Sequence, residues 1–203
     1  MMVISEIANA FLAPNPSLIY VTGTMFSGKT TLLCNVIAQL QQRLPADATR
    51  IHVCDSANTR DTSRDLFNML ALLPQRDKIV FHSSLEDVKN ISNAVVIIDE
   101  AHLFGVRGQA DDLIRAIIRL KQNGCKVLVS GLLLDCYNNY DIFYVVRNIL
   151  ALSDKTYILK SRKPCALCGK MDNVIYTRNT ANLDTTIGDH YENICMSCLR
   201  IKK

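Results

Sequence analysis

Two kinds of apolar pattern alternate along this chain. Short runs rich in β-branched residues indicate buried strands, and longer segments with apolar residues every three or four positions indicate helices with one apolar face. The predicted strands are Ser17–Thr22, Arg50–Cys54, Lys78–His82, Ala94–Asp99, Lys126–Ser130 and Lys155–Lys160. This alternation predicts an α/β fold in which a parallel sheet is flanked by helices.

Three helices are predicted between these strands. The first spans Thr31–Leu44 and ends at Pro45, which cannot continue a helix. The second is followed by Gly124, at the position of a helix C-terminal cap, and the third spans Phe143–Leu152. The apolar stripe of the second helix comprises Leu113, Ile114, Ile117 and Leu120.

The length of 203 residues allows one domain of ordinary size and a small second module. We predict an N-terminal extension over residues 1–16, an α/β domain over residues 17–160 and a cysteine-bearing module over residues 161–203. The boundary near Ser161 is a change in composition, since no low-complexity linker or internal repeat is present. The sequence pattern assigns no role to residues 1–16.

Composition and charge narrow the class of protein. Hydrophobic residues make up 49% of the chain and charged residues 21%, which is typical of a packed soluble domain. The net charge of +4 is scattered, and the absence of a long block of like charges argues against a dedicated nucleic-acid binder. Residues 1–13 carry neither the basic start of a signal peptide nor a membrane-spanning apolar run. We therefore expect a cytoplasmic protein without a membrane partner.

A phosphate-binding motif lies between the first predicted strand and the first predicted helix. The segment Gly23–Thr30 reads GTMFSGKT and satisfies G-x-x-x-x-G-K-[ST]. In this motif the backbone wraps around phosphate oxygens, Lys29 reaches the β- and γ-phosphates, and the Thr30 hydroxyl binds Mg²⁺. The predicted ATP-binding residues here are Gly23, Thr24, Met25, Phe26, Ser27, Gly28, Lys29 and Thr30. The alternative is a chance match in a glycine-containing turn, which the strand–loop–helix context disfavours.

Two acidic residues end the fourth predicted strand. A P-loop fold needs a second Mg²⁺ carboxylate there, so we assign Asp99 to the metal and ATP site. Glu100 would point to another face, where it could accept a proton from an attacking group. The alternative is that both acids are solvated loop charges. Residues 99–102 also spell the Asp-Glu-Ala-His box of a helicase family, but two ATPase lobes and a basic nucleic-acid track do not fit this chain.

The eight cysteines fall into two groups. The scattered cysteines read as small buried apolar groups: Cys34, Cys54, Cys125 and Cys136. The others form two Cys-x-x-Cys pairs separated by the 26 residues 169–194: Cys165, Cys168, Cys195 and Cys198. Four thiolates suit one tetrahedral Zn²⁺ and leave no open coordination position, so we predict a structural, zinc-ribbon-like site.

Together these features resemble the type II, cellular and viral, thymidine kinases from about Leu18 to Lys203. The phosphate loop, the Ile-Asp-Glu-Ala-x-x-Phe segment Ile98–Phe104 and the four-cysteine module occur in that family's order. Further matching segments are Gly131-Leu132, Tyr176-Thr177-Arg178, Ile187-Gly188 and Tyr191. The resemblance implies transfer of the ATP γ-phosphate to the 5′-hydroxyl of thymidine, or of deoxyuridine, with Mg²⁺ and a structural Zn²⁺. It also implies a homotetramer or dimer.

The resemblance also implies roles for individual residues. Glu100 matches the catalytic base, and Lys29 and Arg60 would stabilise the transferring phosphoryl group. Further ATP-binding positions fall on Asn58, Thr59, Arg60 and His102. The C-terminal module would carry a lasso loop whose main chain grips the pyrimidine. The residues matched to the acceptor site are Met25, Leu103, Tyr137, Phe143, Thr177, Thr185, Thr186, Ile187, Gly188 and Tyr191.

Several positions depart from the family pattern, mainly around the acceptor. Asn58 replaces the usual acid, Leu103 stands where the family often has Phe, and His102 where Gln is common. These departures leave a second class open, namely a P-loop switch or ATPase that derives from a nucleoside kinase without phosphorylating thymidine. Formation of a nucleoside monophosphate distinguishes the two classes.

Overall fold

A six-stranded parallel sheet forms the centre of the molecule, which confirms the predicted α/β fold. The computed structural model describes residues 2–15, 17–44, 50–55, 64–74, 76–134, 141–179 and 191–200. The strands are β1 (Ser17–Gly23), β2 (Ile51–Asp55), β3 (Ile79–His82), β4 (Val95–Asp99), β5 (Lys126–Gly131) and β6 (Lys155–Leu159). Their order is β3-β2-β4-β5-β1-β6, so β5 lies between β1 and β4.

Helices cover both faces of the sheet. They are α1 (Met2–Leu12), α2 (Lys29–Arg43), α3 (Arg64–Ala71), α4 (Leu85–Val88), α5 (His102–Val106), α6 (Ala110–Gln122) and α7 (Tyr144–Leu152). Successive residues of β1 point to opposite faces, so Leu18 and Tyr20 pack with α4 to α7 while Ile19 and Val21 pack with α1 to α3. Burial on both faces explains why these strands are continuous apolar runs rather than alternating ones.

The N-terminal residues, to which the sequence pattern assigned no role, form helix α1 against α2. Ile7, Ala8 and Phe11 of α1 are buried in the core on that face of the sheet. The Glu6 carboxylate accepts hydrogen bonds from Lys155 Nζ at 3.0 Å and from Tyr157 Oη at 2.9 Å. Helix α1 therefore also contacts the edge strand β6.

The C-terminal module contains an antiparallel pair of strands, β7 (Val174–Asn179) and β8 (Tyr191–Cys195), followed by α8 (Met196–Arg200). A small core of its own lies beneath the pair, formed by Cys165, Val174, Tyr176, Ile194 and Cys195. The domain boundary at residue 161 stays a prediction.

The sheet topology brings the two predicted chemical segments to the same edge. The phosphate loop follows β1 and the acidic pair ends β4, and parallel strands place their carboxyl ends together. Helix α2, with 15 residues, is the longest in the described part of the chain, and none there is long and apolar enough to cross a bilayer.

Two histidines stack on β2 and on the edge strand β3. The rings of His52 on β2 and His82 on β3 have centroids 5.1 Å apart, and His52 Nδ1 lies 2.9 Å from His82 Nε2. Burial, the His82 ring and Arg50 lower the pKa of His52 to about 4. Burial also lowers the pKa of His82, against the opposing charge of Asp87. Both rings are therefore neutral in the folded protein at pH 7.

We predict that this pair makes the protein less stable in mild acid. Below pH 6.5 the unfolded chain binds protons that the folded pair resists, so the free energy of unfolding should fall as the pH decreases from 6.5 towards the His52 value of about 4. Urea unfolding across this pH range measures the effect. A His52→Gln/His82→Gln double variant should show a flatter pH profile, and an unchanged profile would contradict the assignment.

Candidate active site

The phosphate loop, Gly23–Thr30, connects β1 to the first turn of α2. Lys29 Nζ reaches back across it and donates hydrogen bonds to the carbonyl oxygens of Gly23 at 3.2 Å and Thr24 at 2.9 Å. In the described part of the chain, no acidic residue lies in the first turn of α2, and no side chain caps it. The backbone N–H groups at this helix end therefore favour an anion.

Two hydroxyl groups within the loop strengthen that interpretation. Thr24 Oγ1 and Ser27 Oγ are buried and have no hydrogen-bond partner among the described residues. Buried polar groups in folded proteins are normally paired. The donors of this loop are therefore suited to phosphate oxygens.

Gly28 is required by both its backbone conformation and its surroundings. Its φ of 90° lies in the left-handed region, and a Cβ atom built on it would lie 2.5 Å from Arg162 Nη2. The Arg162 guanidinium thus lies against the start of α2. Next to it, Lys163 Nζ lies 3.6 Å from the centroid of the exposed Phe26 ring. Both cations come from the segment that joins β6 to the cysteine module.

Asp99 lies opposite the phosphate loop. Its Oδ2 accepts a hydrogen bond from Thr30 Oγ1 at 3.4 Å, and its Oδ1 accepts from the Glu100 N–H at 2.9 Å and from the Ser130 hydroxyl. Burial raises the pKa of this carboxyl to about 6, and the charge of Glu100 contributes to the increase. The structure therefore brings together the hydroxyl and the carboxylate that the sequence proposed as Mg²⁺ ligands, and both offer the oxygen atoms that Mg²⁺ prefers.

Glu100 adopts an uncommon backbone conformation for a residue with a side chain. Its φ of 52° turns the chain sharply between β4 and α5. The Ala101 N–H donates to the Ser130 carbonyl at 2.8 Å, which fixes this turn against the end of β5. The Glu100 side chain is 17% exposed, and its Oε2 lies 3.3 Å from His102 Nδ1. It is held in place at the sheet edge while keeping access to solvent.

Lys29 is buried close to these acids. Burial lowers the pKa of its ammonium group, and the charges of Glu100 and Asp99 act in the opposite direction. A buried lysine, two acids and a helix start at one sheet edge form the kind of charge cluster that binds and transfers phosphoryl groups.

The four cysteines of the C-terminal module converge on one point. The sulfur atoms of Cys165, Cys168, Cys195 and Cys198 all lie within 4.8 Å of one another. Four ligands at about 2.3 Å from a tetrahedral zinc are separated by about 3.8 Å, and the Cys168 and Cys195 sulfurs are 3.7 Å apart. The geometry fits a zinc-ribbon-like module. Of the other four cysteines, Cys34, Cys54 and Cys125 are buried as predicted, and Cys136 lies outside the described residues.

Comparison with known families agrees with these features. The family model described as "Thymidine kinase" matches residues 16–199. The chain belongs to the thymidine kinase family. The match extends from the start of β1 to the end of the cysteine module, and it confirms the resemblance seen in the sequence.

Viral members of the thymidine kinase family show the same relationship. The thymidine kinase of African swine fever virus isolate Tick/South Africa/Pretoriuskop Pr4/1996 is 27% identical over 184 residues, which cover 89% of this chain and 90% of that protein. The thymidine kinase of isolate Pig/Kenya/KEN-50/1950 is 35% identical over 96 residues, or 47% of each chain. This similarity supports the interpretation that the chain is a kinase.

In this thymidine kinase family member, several of the residues predicted to bind the acceptor lie close together. Met25 and Tyr191 pack against the core cluster that contains Phe143. The ring of His102, predicted at the ATP site, has its centroid 5.1 Å from that of Phe143, and its Nδ1 lies 3.3 Å from Leu132 N. Leu103 is buried as well. Whether these side chains bind substrate stays a prediction.

Some predicted residues fall in segments that the structure does not describe. They are Asn58, Thr59, Arg60, Tyr137, Thr185, Thr186, Ile187 and Gly188. The lasso loop and the phosphate-binding role of Arg60 therefore stay predictions that rest on the family resemblance.

A polar contact that the sequence analysis missed joins the two parts of the site. Thr177 Oγ1 on β7 accepts a hydrogen bond from Met25 N at 2.9 Å, and Asn193 Nδ2 on β8 donates to Met25 O at 2.9 Å. Thr177 Oγ1 also donates to Asn193 Oδ1 at 3.0 Å. We call these two side chains the Thr177–Asn193 clamp. It connects the cysteine module to Met25 of the phosphate loop.

Proposed function

We propose that this chain is an ATP-dependent thymidine kinase, which transfers the γ-phosphate of ATP to the 5′-hydroxyl of thymidine and also accepts deoxyuridine. The observation that carries the proposal is the contact between Thr30 Oγ1 and Asp99 Oδ2, with Glu100 on the adjacent turn. The similarity to relatives named thymidine kinases supports thymidine as the acceptor. The family resemblance supports a cytoplasmic homotetramer or dimer.

The phosphate loop binds the phosphates of ATP, and Asp99 at the acidic turn binds Mg²⁺ together with Thr30. Backbone N–H groups of the loop and of the α2 start bind phosphate oxygens, and Lys29 leaves its carbonyl partners to contact the β- and γ-phosphates. Thr30 and Asp99 would hold Mg²⁺, which when bound neutralises charge on those phosphates. The Arg162 guanidinium, at the same helix start, adds a further positive charge.

Glu100 is placed to activate the acceptor. Its carboxylate removes the proton of the 5′-hydroxyl while that oxygen forms a bond to the γ-phosphorus and the bond to the ADP oxygen breaks. Lys29, Arg162 and, by resemblance, Arg60 stabilise the charge on the transferring group. Cys165, Cys168, Cys195 and Cys198 would hold a structural Zn²⁺, which would fix the β7–β8 pair and take no part in the reaction.

A panel of nucleosides tests the proposed reaction. Purified protein incubated with ATP and Mg²⁺ should convert thymidine and deoxyuridine to monophosphates, which chromatography separates from the nucleosides. ATP hydrolysis without any monophosphate would contradict the proposal and favour the switch or ATPase class. Loss of product after Lys29→Ala would tie the activity to this phosphate loop.

We predict that Glu100→Gln lowers kcat by about 10² to 10⁴, because the amide cannot accept the hydroxyl proton. The Kd for ATP should change little, since Glu100 contacts the acceptor rather than the nucleotide. Steady-state kinetics and calorimetric ATP binding measure the two effects separately. Glu86→Gln, an exposed substitution on α4, should leave both constants unchanged. Normal turnover by Glu100→Gln would remove this residue from the role of base.

We predict that Arg162→Ala weakens ATP binding about five- to tenfold, because one charged contact to phosphate is lost. Arg162→Lys should recover part of the affinity, since it keeps the charge without the planar guanidinium. Arg115→Ala provides the matched control, because Arg115 is an exposed arginine on α6 paired with Asp112. Equal ATP affinity in Arg162→Ala and Arg115→Ala would contradict this role of Arg162.

A further inference from the structure

The Thr177–Asn193 clamp binds the phosphate loop at Met25. Met25 is the third residue of the eight-residue motif, and both its N–H and its C=O bond to side chains of the cysteine module. Thr177 and Asn193 are 3% and 5% exposed, so these hydrogen bonds are shielded from water. The loop conformation that presents N–H groups to phosphate therefore depends on a module that follows it by about 150 residues.

The clamp is in turn attached to the metal site. Asn193 lies two residues before Cys195, and its carbonyl accepts a hydrogen bond at 2.9 Å from the N–H of Ala166, the neighbour of Cys165. Thr177 and Asn193 face each other in the β7–β8 register. An isolated two-stranded pair is marginally stable in water, so its register depends on the small core and on the four-cysteine cluster, where a bound metal would add stability.

Asn193 also fixes the segment that carries the two cations. Its Nδ2 donates a second hydrogen bond at 3.1 Å to Ser161 Oγ. That hydroxyl donates to the Lys163 carbonyl at 2.6 Å and accepts from the Lys163 N–H at 3.1 Å. One amide side chain thus orients both the loop backbone and the segment from which Arg162 and Lys163 reach the loop.

We infer that Asn193 is a positioning residue through which the four-cysteine metal site sets the affinity of the phosphate loop for ATP. The inference rests on the proposed ATP-dependent function, and it adds a link between the four-cysteine cluster and the phosphate loop. Loss of the metal frees the β7–β8 pair, the clamp opens, and Met25 and the 161–163 segment lose their fixed positions. ATP then binds more weakly although every phosphate-contacting residue is still present.

A thermodynamic cycle tests the coupling. ATP binding is measured by calorimetry in saturating Mg²⁺ for the wild-type chain and for Asn193→Ala, each with zinc and after a zinc-selective chelator. Zinc removal should weaken wild-type binding about tenfold, the effect of one or two buried hydrogen bonds. Asn193→Ala with zinc should show a similar loss. Zinc removal from that variant should add less than about threefold, because the link is already broken.

Further variants separate positioning from a general folding defect. Thr177→Val removes the hydroxyl at nearly constant volume and should weaken ATP binding, whereas Thr177→Ser should restore it. Asn148→Ala is the matched control for Asn193→Ala, because Asn148 lies on α7 and its side-chain amide donates to the Tyr144 carbonyl rather than to Met25. A colorimetric assay should show full zinc content in all of these variants. Hydrogen exchange at the Met25 amide should accelerate after zinc removal or Asn193→Ala, independently of ATP.

The outcomes distinguish this inference from the proposed function. Wild-type protein that fails to bind ATP would contradict the proposed function itself. If ATP binds but Asn193→Ala binds it as tightly as the wild type, the clamp does not position the loop. Equal weakening by zinc removal in the wild type and in Asn193→Ala would show a route that bypasses Asn193, and it would overturn the inference.

Discussion

The meeting of Thr30 and Asp99 across the end of β5 is the interaction on which the rest of the site depends. Strand β5 separates β1 from β4, so the phosphate loop and the acidic turn can approach each other only above its last residues. Ser130 supplies the bridge, since its hydroxyl donates to Asp99 and its carbonyl accepts from Ala101. The sheet order thus places the Asp99 carboxylate opposite the start of α2.

The buried charges at the carboxyl end of the sheet reduce the stability of the folded protein. Asp99 is buried with a raised pKa, Lys29 is buried with a lowered pKa, and Glu100 has a left-handed backbone. A fold selected only for stability would avoid this combination, because buried charge and backbone strain both reduce the free energy of unfolding. Their concentration at one sheet edge is the physical sign of a functional site.

The cysteine module lies outside the six-stranded sheet and contacts the phosphate loop at the carboxyl end of β1. Its strands share no ladder with the six-stranded sheet, yet Thr177 and Asn193 take up both backbone polar groups of Met25. Buried backbone groups need partners, and the cysteine module supplies them for Met25, whereas Lys29 supplies them for Gly23 and Thr24. The module that carries the four-cysteine cluster thereby contacts the backbone of the phosphate loop directly.

The sequence by itself determined the features that rest on local patterns. Apolar periodicity located both ends of each of the six strands to within one residue, and fixed spacings revealed Gly23–Thr30 and the four cysteines. Tertiary structure alone decided the strand order, the packing of α1 and the contacts of Arg162 and Asn193. Met25 and Asn193 are 168 positions apart, and neither belongs to a motif that requires the other. Such pairings depend on how folded elements pack, and no local pattern encodes them.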